Sequence, residues 1–281
     1  MRDPRKVLDV SDLSEVLHSD FFDSRAGRVL GNWLLDILNM EDINSLVMRH
    51  DRLSGAPFAE AILKDPAVSL DYEVEGTENL DSMRGDHPFI TVSNHPFGGL
   101  DGLMLVSVIG SVRPDYKVVV NDLLDHIAPL RDSWISVSPI KASDHEAARN
   151  VSSLFRIGRR IKEGHPVGFF PAGTVAEYNF AQRRPVELDW SENSMRIFRG
   201  LRVPIYPIAF SGRNSFAFYL IQKFFDKLHG LRLPTEILNK REKKVKMVIG
   251  KPLTSEDFKG VSTHATAAAM LRDHTLSLLG N

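Results

Sequence analysis

Two side chains able to relay a proton stand close together in the stretch Thr91-Val92-Ser93-Asn94-His95-Pro96-Phe97-Gly98-Gly99-Leu100-Asp101. A neutral imidazole can take a proton from a hydroxyl. A carboxylate on its other nitrogen fixes the tautomer and stabilises the imidazolium that forms. No protein nucleophile is evident beside His95 and Asp101, because the chain has no Cys and no G-x-S-x-G elbow. A His–Asp pair without a nucleophile suits direct transfer. In that scheme the hydroxyl of an acceptor attacks an activated carbonyl, with His95 as general base and Asp101 as its orienter. The structural alternative is a helix cap, since Asp is favoured at an N-cap and a turn histidine can bond to the backbone. One Asp can serve both purposes.

Other chemistries fit less well. H-E-x-x-H is absent and the ten His are scattered, so no metal site is expected. A Walker A motif is absent, and Phe97 fills the first glycine position of a G-x-G-x-x-G pattern, so no bound nucleotide cofactor is expected. A net charge of −1 argues against a nucleic-acid partner. The N-terminus lacks the apolar region of a signal peptide, and no apolar run is long enough to span a bilayer. These features predict a protein that is soluble or lies on a membrane surface, on the cytoplasmic side.

The elements that must position the pair follow from periodicity. Residues 1–66 read as an N-terminal helical segment and 67–281 as an α/β domain, the two forming one compact unit. In 24–40 the apolar residues Val29, Leu30, Trp33, Leu34, Ile37 and Leu38 form a helical stripe. That stripe packs on the core or rests on lipid, with Trp33 near the interface. From residue 69, β-rich runs at 69–75, 88–93, 116–120, 135–140, 167–171, 204–209 and 245–249 alternate with helical runs at 102–112, 144–163 and 191–199. The alternation predicts a mixed, largely parallel sheet covered by helices on both faces. Ser143 and Glu146 form a capping-box pattern at the start of 144–163, and Gly164 closes it. The strand that follows delivers Pro171-Ala172-Gly173-Thr174 to a strand end, where open α/β sheets bind ligands. The His–Asp bend follows strand 88–93 in the same way, with Pro96 fixing the chain and Gly98 and Gly99 permitting backbone angles closed to other residues.

Three motifs in order carry a family resemblance. Asn94-His95-Pro96, with Gly98, Asp101 and Gly102, resembles the first motif of the glycerolipid acyltransferase superfamily, the lysophosphatidic-acid-acyltransferase-like enzymes. Phe170-Pro171-Ala172-Gly173-Thr174 resembles their F-P-E-G-T-R motif, and Val203-Pro204-Ile205-Tyr206-Pro207-Ile208 their V-P-[IV]-x-P-[VI] strand. The motifs span roughly 90–215. Two departures stand out. The superfamily has four residues between His and Asp, whereas here Pro96 to Leu100 make five, an excess that a glycine-rich bend can absorb before the helix starts. Ala172 and Val175 replace the motif's Glu and its acceptor-phosphate Arg, which argues against a lysophosphatidate acceptor. Both departures, with Gly212-Arg213-Asn214-Ser215 after the third motif, look like the branch that carries the hemolysin label and includes bacterial aminolipid O-acyltransferases.

The resemblance implies an O-acyltransferase. Its donor would be the thioester of acyl carrier protein or coenzyme A, with no bound cofactor, and its acceptor the hydroxyl of a lyso-lipid of the ornithine or glycine type. Catalysis falls to His95 and Asp101. Substrate-binding roles fall to Asn94, Gly98 and Gly99 in the first motif, and to Pro171, Ala172, Gly173 and Thr174 in the second. Arg213 and Asn214 follow the third motif, Lys141 falls where the second block has an Arg, and Glu177 is positioned to replace the lost carboxylate. Arg213, Arg183 and Arg184 could grip carboxylate or phosphate, or be exposed loop arginines. The aromatic run 216–229 and the basic run 240–246 suit an anionic membrane surface or an acidic carrier protein, or else a core helix beside a solvated turn. The rival readings are a membrane-active lipid binder without turnover, a thioesterase using water, and a 1-acylglycerol-3-phosphate acyltransferase.

Overall fold

The computed structural model describes residues 6–17, 19–137, 155–224, 232–241 and 243–280. Its sheet has seven strands: β1 (Asp71–Glu75), β2 (Ile90–Ser93), β3 (Lys117–Asn121), β4 (Trp134–Val137), β5 (Val167–Phe169), β8 (Ile205–Phe210) and β9 (Lys244–Ile249). A separate hairpin joins β6 (Glu177–Asn179) to β7 (Arg184–Val186). Across the sheet the order is β1-β9-β8-β2-β5-β3-β4. The strands from β8 to β4 run parallel, β9 runs antiparallel to β8, and β1 runs parallel to β9. The mixed, largely parallel sheet expected from the sequence is therefore the fold. Every residue of β2, β5 and β8 is buried, which is why these strands read as unbroken apolar runs rather than alternating ones.

Helices cover both faces. On one side lie α3 (Met40–Arg49), α4 (Gly55–Lys64) and α5 (Gly99–Val112), sharing a core of Ile43, Leu46, Phe58, Ile62, Leu103 and Met104 with Tyr206 and Ile208 of the sheet. On the other lie α6 (155–162), α7 (Glu192–Leu201) and α10 (His264–Ser277). Their Ile157, Ile161, Met195, Phe198 and Leu271 pack on Ile90, Val92, Val167 and Phe169. α5 is apolar round nearly its whole circumference because it is buried on nearly all of it. α1 (Leu13–Val16), α2 (Arg25–Ile37), α8 (Phe216–Phe224) and α9 (232–236) complete the described helices.

Several boundaries differ from the sequence expectation. The helix expected over 24–40 stops at Ile37, and Asn39 turns the chain through the left-handed region (φ 51°) into α3. The stripe of α2 divides accordingly. Gly27, Gly31 and Leu35 face the core, while Val29, Leu30, Trp33 and Ile37 are exposed, Trp33 at 59%. The β6–β7 hairpin and α10 had no clear periodic signal. The capping-box pair Ser143 and Glu146, and the last five residues of the aromatic run, 225–229, lie outside the described residues.

One carboxylate ties the N-terminal helices together. Asp65, just past α4, accepts from Arg49 Nε and Nη2 (3.1 and 2.8 Å) and from the Ala67 N–H (2.9 Å), and lies 2.8 Å from His50 Nε2. Burial pushes its pKa up, but these bonds outweigh burial and hold the carboxyl down at about 2, against an ordinary 3.8. A group depressed on folding stabilises the native state above its unfolded pKa and loses that contribution as pH falls through the folded one. Stability should therefore drop by on the order of 1–2 kcal/mol from this group between about pH 5 and pH 2. Urea denaturation across that range should show a flatter pH slope for Asp65→Asn, together with lower stability at pH 5.

Candidate active site

β2 ends at Ser93 and α5 begins at Gly99, three residues earlier than the sequence suggested, so Asp101 is the third residue of the helix rather than the residue before it. From there its carboxylate reaches back over the bend. Asp101 Oδ2 accepts from the N–H groups of Phe97 and Gly98 (2.9 and 3.0 Å) and lies 2.9 Å from His95 Nδ1. The extra residue relative to the superfamily spacing is thus absorbed in the loop. Capping the helix and holding the imidazole are one interaction. Gly98 makes the bend possible: its φ is +90°, and a Cβ there would lie 2.6 Å from the Leu233 side chain. Asp101 is fully buried, its Oδ1 has no hydrogen-bond partner among the described residues, and the amino-terminal end of α5 favours its negative charge.

His95 is held through its ring and through its main chain. Its ring stacks on Phe170 with centroids 3.9 Å apart and planes 23° apart. Its N–H donates to Glu187 Oε2 (3.1 Å), and its carbonyl accepts from the Ala176 N–H (2.9 Å). With Nδ1–H directed at Asp101, the lone pair lies on Nε2, the atom a general base uses. The side chain is 16% exposed, enough for contact with a substrate hydroxyl.

Glu187 is the residue that sequence reasoning missed. Its other oxygen accepts from Trp190 Nε1 (2.9 Å). Burial pushes its carboxyl pKa up, while the bonds from Trp190 and from the His95 N–H pull the other way. The only hint in the sequence was an acid three residues before a Trp in a loop, which belongs to no motif.

The remaining expected residues fall into distinct places. Asn94 is buried, and its amide exchanges two bonds with the Phe210 main chain (2.9 and 2.7 Å), tying the end of β2 to the end of β8. Gly99 lies half-buried in the first turn of α5. Pro171 is buried, and its carbonyl accepts from the Ser191 N–H (2.9 Å). Gly173 (φ 71°) donates its N–H to the Phe170 carbonyl (2.9 Å), closing a turn in which Ala172 and Thr174 are half-buried. Val175 is buried with Phe218 and Tyr219. Glu177 is exposed on β6 opposite Val186, and it is Glu187, not Glu177, that meets the His95 main-chain N–H. Asn214 is buried and links Tyr219, the Phe97 carbonyl and Lys240, whereas Arg213, Arg183 and Arg184 are exposed. Lys141 lies outside the described residues. Among the described residues no group of three or more His, Cys, Asp or Glu could hold a metal ion.

Truncating Glu187 would leave two donors, the His95 N–H and the Trp190 indole, without their acceptor. Glu187→Ala should lower the unfolding free energy by about 1–3 kcal/mol, with Glu187→Gln recovering part of the loss, as read by denaturant titration.

Residues 23–280 match a family model described as Acyltransferase. A lyso-glycine lipid O-acyltransferase of Phocaeicola vulgatus is 26% identical over 254 residues, covering 88% of this chain and 86% of the relative. A second lyso-glycine lipid O-acyltransferase, from Bacteroides thetaiotaomicron, is 26% identical over 250 residues, covering 86% and 87%. The crystal structure of the 1-acyl-sn-glycerophosphate acyltransferase of Thermotoga maritima aligns over 89% of this chain and 95% of that one, at 15% identity and a TM-score of 0.48, a likeness too slight to bear on function. The family match takes in nearly the whole chain, and the protein is therefore a member of the acyltransferase family, in line with its three ordered motifs.

Proposed function

We propose that the enzyme moves a fatty acyl chain from a thioester of acyl carrier protein or coenzyme A to the hydroxyl of a lyso-lipid of the glycine or ornithine type. The observation that carries the mechanism is the 2.9 Å approach of His95 Nδ1 to Asp101, which leaves Nε2 as the base. Nε2 takes the proton of the acceptor hydroxyl as its oxygen attacks the thioester carbonyl. The tetrahedral intermediate collapses, the C–S bond breaks, and the departing thiolate takes the proton back from the imidazolium. Asp101 supports the transient positive charge, and Phe170 fixes the plane of the ring.

Two features favour this acceptor class. Both curated relatives act on lyso-glycine lipids, by their names. Where the superfamily motif has its phosphate-binding Arg, this chain has Val175 buried among aromatic rings. We place the enzyme on the inner face of the membrane. No described helix is long and apolar enough to cross a bilayer. α2, however, presents Val29, Leu30, Trp33 and Ile37 to solvent, and Phe180, Phe216 and Phe224 are exposed near Lys223.

His95→Ala should reduce acyl transfer by about 10²–10⁴-fold while leaving the melting transition in place. Full transfer by the purified variant would overturn the mechanism. Thioester loss without acylated lipid in the wild type would mean hydrolysis instead. Leu30→Ser with Trp33→Ser should weaken cosedimentation with vesicles containing anionic lipid by roughly tenfold, and unchanged binding would remove α2 from the docking surface.

A further inference from the structure

A cavity of about 710 Å³ opens beside Phe97, the residue of the bend whose N–H bonds to Asp101. Three exposed cations line it: Arg213, after β8, and Lys243 and Lys244, at the start of β9. The antiparallel pairing of β8 with β9 sets those two segments side by side. Among the described residues no Asp or Glu lines the cavity and none of the three cations has a carboxylate partner. Like charges gathered without counter-charge repel one another, so the arrangement favours an anion between them.

The floor does not supply that anion. Lys240 is buried, donates to Asn214 Oδ1 (2.9 Å) and to Glu236 Oε2 (3.2 Å), and lies over the Phe97 ring at 5.1 Å. Glu236 is occupied in turn by the Ser215 N–H and hydroxyl and by Arg232. Tyr178, Phe216 and Tyr219 form an aromatic wall. Burial pushes the Tyr219 phenol up to about 12, so it keeps a proton to donate while its oxygen accepts from the Asn214 N–H. A cationic mouth beside an aromatic wall fits an amphiphile with an anionic head.

We infer that this cavity seats the anionic head group of the acyl acceptor, with Arg213, Lys243 and Lys244 pairing with its carboxylate or phosphate and Tyr178 and Phe216 facing its apolar part. The inference rests on the lyso-lipid reading above and names the recognition site that reading lacks. It also places the missing cation: the Arg replaced by Val175 has its counterpart on β9 and in the loop after β8.

The test uses the full chain, a fixed acyl thioester and three acceptors: a lyso-aminolipid with a free carboxylate, its methyl ester, and lysophosphatidate. The wild type should prefer the free acid over the ester by about tenfold in kcat/KM. Lys243→Met with Lys244→Met, and separately Arg213→Met, should raise KM for the acid about tenfold, erase its advantage over the ester, and leave KM for the thioester unchanged. If the variants raise KM for lysophosphatidate and not for the acid, the recognised anion is a phosphate. An unchanged acceptor KM, or a rise in the thioester KM alone, overturns the inference. Such a result, with His95→Ala still inactive, would leave the acyl-transfer mechanism standing.

Discussion

A single carboxylate oxygen organises the site. Asp101 Oδ2 draws together two main-chain N–H groups and one imidazole nitrogen, all within 3.0 Å. Removing a carboxylate from water costs several kcal/mol unless hydrogen bonds and nearby positive charge compensate. Here the compensation comes from the same atoms that define the bend and from the end of the helix that carries the acid. The loop cannot relax without exposing that charge to an unfavourable setting. The orientation of His95 is therefore fixed by the cost of burying its partner.

Around this point the strand ends act as a rigid collar. β8 supplies Phe210, whose main chain grips Asn94. The segment after β5 supplies Phe170 against the ring and Ala176 against the His95 carbonyl. The stretch following the hairpin supplies Glu187. Both main-chain polar groups of His95 are held, so the imidazole keeps little freedom beyond rotation about its own side-chain bonds, and stacking restricts even that. A side chain that is already aligned loses little entropy when it engages a bound group.

Much of this was legible in the sequence. The seven sheet strands fall within a few residues of the runs that announced them, and β2, β5 and β8, buried on both faces, have no polar alternation to blur their limits. His95 and Asp101 could be paired on the page because their chemistry is local to one bend. Glu187 could not, because its contact with His95 spans 92 positions and depends on how the hairpin folds back. Asn94 was visible as part of a motif, yet its job of joining β2 to β8 depends on Phe210, a main-chain partner that no residue type encodes. The start of α5 was misplaced because glycines at 98 and 99 look like loop, whereas one lies in the left-handed region and the next already begins the helix. Lys243 and Lys244 belonged to a basic run suited to a membrane surface, a carrier protein or a solvated turn, and only the antiparallel pairing of β8 with β9 sets them beside Arg213.

The strand order has a consequence for how the molecule is made. Among the described strands β1 is the first to leave the ribosome and its partner β9 the last, with Asp71 facing Lys244. β8 fills the gap between β9 and β2. Translation therefore delivers His95 and Asp101 long before the later strands that frame them, and such long-range pairings form slowly. An unfinished polypeptide carries His95 in an unformed bend, and the contacts that hold the imidazole are complete only once the later strands are in place.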